Sequence, residues 1–109
     1  MKPSLVTKLE SLSDRHEEVS ALLADAETAS DPNKFRTLSQ EYAQLDEVVK
    51  VYDGYRRAQD DLEEARLMLT DSDPDVREMA EEEVTAAESF MATAEADLQI
   101  LMLPKDPLD

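Results

Sequence analysis

The side chains with the widest chemical reach in this 109-residue chain are its 27 carboxylates. Three pairs stand four residues apart: Asp60 and Glu64, Asp71 and Asp75, Glu78 and Glu82. On a helix that spacing places both members on one face, where one could serve as acid and the other as base. Such work also needs a cleft that shifts a pKa and holds a substrate. Glu81-Glu82-Glu83, with Asp75 and Glu78 close by, could attract a divalent cation. Successive helical residues point ~100° apart, so three adjacent glutamates cannot converge on one ion. A di-iron bundle would need Glu-x-x-His, and the residue three before the single His16 is Ser13.

The remaining candidates are few. No Cys is present, which removes disulfides, thiolate metal sites and a cysteine nucleophile. Gly54 is the only glycine, and glycine-rich phosphate loops need at least two. His16 has no Ser or Asp constellation tied to it; it is either a hydrogen-bonded core histidine or a seam-edge residue beside Glu17 and Glu18. Tyr42, Tyr52 and Tyr55 form a row that reads as core rather than a binding cage. Arg56-Arg57, with Lys50 nearby, is the one basic cluster, a contact point rather than a nucleic-acid groove. The sequence therefore assigns no catalytic, cofactor-binding or metal-binding residue and no small-molecule ligand. The carboxylates read as a solvated helical surface.

The elements that would carry these residues are helices delimited by proline. Pro3 can open the first, because a first-turn N–H has no partner anyway. Apolar positions follow at Leu5, Leu9, Leu12, His16, Val19, Leu23 and Ala26, the alternating steps of four and three that make a heptad seam. Ala29-Ser30-Asp31-Pro32 ends this helix and starts the next, with Asp31 as N-cap. The second seam runs Phe35, Leu38, Tyr42, Leu45, Val49, Tyr52, Tyr55, Ala58, Leu62, Ala65 and Leu69. Its rhythm shortens at Gly54, where a bend or break is a clear option for a residue that costs ~1 kcal/mol in a helix interior.

Asp73 and Pro74 cap and open a third helix with the seam Val76, Ala80, Val84, Ala87, Met91, Ala94, Leu98 and Leu101, and Pro104 ends it. Short connections force neighbouring helices antiparallel. The expected fold is all-α: an elongated antiparallel three-helix bundle or coiled coil, with a helical domain over 1–103 and an exit segment over 104–109. No strand signal competes.

Charge narrows the partners. The chain holds 11 Lys and Arg against its 27 acids, a net of −16. Residues 60–97 contain 14 acids and two bases, Arg66 and Arg77, whereas residues 1–59 are nearly balanced with 11 acids and eight bases. A surface this acidic repels phosphate backbones, so protein partners are favoured over RNA. The start lacks the long apolar run of a secretory signal, and Leu98-Gln99-Ile100-Leu101-Met102-Leu103 is far too short to span a membrane. No membrane association and a cytoplasmic location are the expectations.

Three stretches resemble a known family. The opening, Met1-Lys2-Pro3-Ser4-Leu5-Val6-Thr7-Lys8-Leu9-Glu10 followed by Arg15-His16-Glu17-Glu18-Val19, is similar to the start of bacterial class I peptide chain release factors of type 1, as is Phe35-Arg36 through Glu41-Tyr42-Ala43-Gln44-Leu45. Leu101-Met102-Leu103-Pro104-Lys105-Asp106-Pro107 resembles the family's junction between its N-terminal helical domain and its central domain. The resemblance implies the first domain of a longer factor that reads UAA and UAG and triggers hydrolysis of peptidyl-tRNA. It also implies a helical appendage that reaches toward the base of the ribosomal stalk and helps to position the factor.

The family's functional motifs do not map onto this chain. Its catalytic Gly-Gly-Gln loop has no counterpart, because Gly54 is followed by Tyr55. Its codon-reading Pro-x-Thr has none either, since the residues two after each proline are Leu5, Lys34, Val76, Asp106 and Asp109. The resemblance therefore carries over no site residue and implies no enzymatic activity for this piece. A different reading is a stand-alone acidic coiled-coil scaffold or adaptor, homodimeric through an incompletely buried seam. An acidic mimic of nucleic acid fits less well, because the charges gather in one stretch instead of forming spaced rows.

Overall fold

A computed structural model describes residues 1–104. The fold is all-α, with no strand among the described residues. Four helices follow one another: α1 (Pro3–Leu23), α2 (Ala26–Ala29), α3 (Pro32–Met68) and α4 (Pro74–Leu101). The chain divides into two compact units, Met1–Lys50 and Val51–Asp109.

The helix starts follow from local chemistry. Asp31 accepts the N–H of Lys34 at 3.2 Å and Asp73 that of Asp75 at 2.9 Å, each just before a proline that needs no partner for its own nitrogen. The three-helix expectation is exceeded by one short element. The first helix stops at Leu23 rather than running on to Ala29, because Asp25 adopts an extended backbone and caps a separate turn, Ala26–Ala29, by accepting the N–H of Glu27 at 3.0 Å. At the far end α4 closes three residues short of Pro104. The rest of the expected exit segment, residues 105–109, lies outside the described residues.

In the first unit, Val19 of α1 packs with Leu38 and Leu45 of α3, flanked by Leu12, Leu22, Leu23 and Tyr42. Leu9 and Val49 are also buried, so the seam falls where the heptad steps place it. Two positions depart from it. Ala26 and Phe35 are exposed, and Thr28 is buried instead. The separate turn α2 resets the helical phase, so the periodicity of α1 no longer decides which of its residues face inward.

In the second unit, Tyr52, Tyr55, Ala58, Leu62 and Ala65 of α3 and Ala80, Ala87, Ala94 and Leu98 of α4 are buried. The α4 seam is largely alanine, which allows close approach of the facing helix. The break considered at Gly54 does not occur, and α3 stays helical through it. A Cβ there would stand 3.3 Å from Cε1 and Cζ of Phe90, so the glycine makes room for a ring from α4.

Candidate functional site

The carboxylate pairs do not converge. Asp60 and Glu64 on α3 and Glu78 and Glu82 on α4 are all exposed. Asp71 is occupied with its own turn, accepting the N–H of Asp73 at 2.9 Å. Glu81, Glu82 and Glu83 fan out around α4 into solvent, and among the described residues no three His, Asp or Glu side chains meet as a metal site. Such an arrangement sets a surface potential.

Side chains do converge in the first unit. Arg15 of α1 grips Glu41 of α3 through two bonds, Nε to Oε2 at 2.6 Å and Nη2 to Oε1 at 2.8 Å, while Nη1 reaches Glu18 at 2.9 Å. The forked guanidinium matches the carboxylate's two oxygens. Hydrogen bonding from Arg15 holds the Glu41 carboxyl below its ordinary value, and the same bonding raises the guanidinium. Next to this pair, His16 Nε2 lies 3.0 Å from Asp46 Oδ1, and Lys50 Nζ lies 2.9 Å from Asp46 Oδ2. An ionised carboxylate only accepts, so the imidazole donates through Nε2. The Lys50 bond, followed by the His16 bond, holds the Asp46 carboxyl below its usual value, and Asp46 raises Lys50 in return. The imidazole also stacks on Tyr42, with ring centroids 4.8 Å apart and 23° between planes.

His16 is thus hydrogen-bonded, as the first option has it, but half-buried rather than in the core. These contacts join α1 to α3 and fix their register. Neither Glu41 nor Asp46 stands out in the sequence. Pairing across helices depends on which faces meet, and helical spacing reports only neighbours three or four residues apart on the same helix.

Two members of the basic cluster are similarly occupied. Lys50 is bound to Asp46, and Arg56 pairs with Asp53 while lying 4.6 Å above the ring of Tyr52. Tyr52 and Tyr55 are buried and Tyr42 is half-buried, so the tyrosine row packs the seam.

The second unit presents the opposite character. Most of its acids lie on the surface, and Leu67, Met68, Met79, Phe90 and Ile100 are exposed among them. No helix among the described residues is long and apolar enough to cross a membrane.

Long packed helices, a polar clasp that sets the register of α1 on α3 and a charged exterior define an all-α helical domain. The particular family is shown by sequence: residues 12–109 match the PCRF domain, and the chain belongs to that family. The PCRF domain is the non-catalytic N-terminal helical domain of class I peptide chain release factors, proteins of translation termination on the ribosome.

Proposed function

We propose that this chain is the N-terminal accessory domain of a type 1 release factor, one that acts at UAA and UAG, and that it helps to seat the factor at the base of the ribosomal stalk. The observation that carries this reading is the PCRF match over nearly the whole chain, joined to the type 1 resemblance of the opening and of Leu101–Pro107. Residues 1–103 act as the helical domain, 104–109 begin the connection to a central domain, and the work is done in the cytoplasm.

Protein rather than RNA meets the acidic surface, because a stretch with a net of −12 cannot approach phosphates without a large repulsive cost. The chain is to be mixed at physiological salt with stalk-base rRNA, either naked or carrying its ribosomal protein. Binding is expected only when the protein is present, and capture by the naked RNA would refute the assignment of the contact. The codon assignment is tested separately by peptide release from ribosomes stalled at each stop codon, using the factor encoded by the whole reading frame. Release at UAA and UAG but not at UGA is expected.

A further inference from the structure

Within the second unit, an open groove of about 540 Å³ runs between the later part of α3 and the middle of α4. Met68, Ala87 and Phe90 supply its apolar surface, and Asp61, Glu64 and Glu83 supply carboxylates from both helices. Phe90 keeps 54% of its surface exposed, a large apolar ring left in water. The ring lies against Gly54, where a Cβ would stand only 3.3 Å away, and it forms one wall of the groove. Among the described residues, no ion pair or hydrogen bond engages the three carboxylates. The only two bases of residues 60–97 are turned to other groups: Arg66 lies 3.6 Å from Glu88, and Arg77 donates to the carbonyl of Asp71 at 2.7 Å. The groove thus combines apolar side chains with carboxylates that have no cationic partner among the described residues. It is too open to enclose a small molecule but wide enough for side chains.

We propose that this groove docks a basic amphipathic segment of a partner protein. One apolar anchor (Leu, Ile, Met or Phe) seats against Phe90 and Met68, and Lys or Arg on either side pairs with Asp61, Glu64 and Glu83. Charge selects this occupant. A second copy of the chain would bring another net −16 to the same surface, and RNA or an anionic lipid would bring phosphates. Arginine and lysine complement the carboxylates, and the anchor removes exposed apolar area from water. The inference goes beyond the stalk-base reading, since it concerns any partner with this chemistry, and its test uses no ribosomal component.

The 109-residue chain is to be immobilised at 0.15 M salt and used to select binders from a displayed library of random 15-residue peptides. The selected class is expected to carry Lys or Arg flanking a single large apolar residue. A representative synthetic peptide should shift the backbone NMR signals of Ala58, Ala86, Ala87 and Phe90. Its affinity should fall at least fivefold in Phe90→Ala and at least tenfold in the triple variant Asp61→Asn, Glu64→Gln, Glu83→Gln. All four positions tolerate change by their location on the surface, and helical circular dichroism confirms that each variant is folded. Enrichment of Lys and Arg runs without an apolar residue would reduce the groove to a merely adhesive acidic surface. Failure to enrich a basic class, or affinities indifferent to Phe90→Ala, would overturn the proposal. Either result leaves the stalk-base assignment to stand or fall on its own experiment.

Discussion

Phe90 rests its ring against the backbone of Gly54, and a Cβ at residue 54 would stand 3.3 Å from two of the ring carbons. Two effects oppose each other there. Glycine inside a helix costs ~1 kcal/mol relative to alanine, so Gly54→Ala should stabilise α3. The same methyl group must displace the ring by a few tenths of an ångström. A double-mutant cycle separates the two. In a Phe90→Ala background Gly54→Ala is expected to gain close to ~1 kcal/mol, and in the natural background less, with a coupling of at least ~0.5 kcal/mol. Additive effects in urea melts would mean that the contact does not constrain the helix pair.

The buried seam carries most of the stabilising energy. Leu45 sits in the first unit and Leu62 in the second, both buried, whereas Leu67 keeps 77% of its surface exposed. Truncating a buried leucine removes its transfer free energy and leaves a cavity, at a cost of ~2–5 kcal/mol. Leu45→Ala and Leu62→Ala are each expected to lose that much in denaturant unfolding. Leu67→Ala should stay within ~0.5 kcal/mol of the parent. A loss below half of the stated range at either buried leucine would displace the seam.

These positions show how much a sequence of this kind discloses. Leu9, Val19, Leu45, Leu62, Ala87 and Leu98 are read correctly from the heptad steps, and Asp31-Pro32 and Asp73-Pro74 mark helix starts by chemistry that is entirely local. Ala26 is misassigned because Asp25 caps a separate turn that ends the phase of α1, and Phe35 because it lies in the first turn of α3, ahead of the buried run that begins at Leu38. The Gly54 break fails for a different reason: the glycine answers a ring 36 positions away, and no local rule sees that distance. The Arg15–Glu41 and His16–Asp46 contacts are equally hidden, since their partners are fixed by the register of two packed helices. The acidic groove has half its determinants in composition and half in packing. The charge is legible, but the exposed ring beside it is not.

Ser13 offers a test of unpaired polarity. Its hydroxyl is buried on α1 without a hydrogen-bond partner among the described residues. Leaving such a group unsatisfied costs ~1–3 kcal/mol, and serine is also a poorer helix former than alanine. Ser13→Ala is therefore expected to stabilise the chain by ~0.5–1.5 kcal/mol, a change visible as a higher melting temperature. A destabilised variant would indicate that the hydroxyl is satisfied in solution.

The Arg15–Glu41 clasp should show itself through pH. The fold lowers the Glu41 carboxyl, so its contribution is fully present above the carboxyl's ordinary value and is lost as pH falls through the lowered one. Asp46 acts in the same direction through Lys50 and His16. Glu41→Gln removes the first effect and leaves the second. The gap in melting temperature between parent and variant is expected to be widest near neutrality and to close as the pH falls below the ordinary carboxyl range. A gap that persists undiminished at the acid end would assign the role of Glu41 to shape rather than charge.

The excess of acid sets a final expectation, and its sign has to be decided between two opposing effects. Salt weakens surface ion pairs such as Arg56–Asp53 and Arg66–Glu88, each worth ~0–1 kcal/mol. It also screens the mutual repulsion of a chain with a net of −16, which acts over ~30 Å in 10 mM salt and only over a few ångströms in 0.5 M. Residues 60–97 hold two bases against 14 acids, so attractive pairs there are outnumbered from the start. Repulsion outweighs the attraction that salt removes, and the melting temperature is expected to rise by at least ~4 °C between 10 mM and 0.5 M NaCl. Asp61→Asn with Glu64→Gln and Glu83→Gln should reproduce part of that rise at low salt, because the three carboxylates have no cationic partner to lose among the described residues. A melting temperature that is flat or falls with salt would mean that the acids are already compensated.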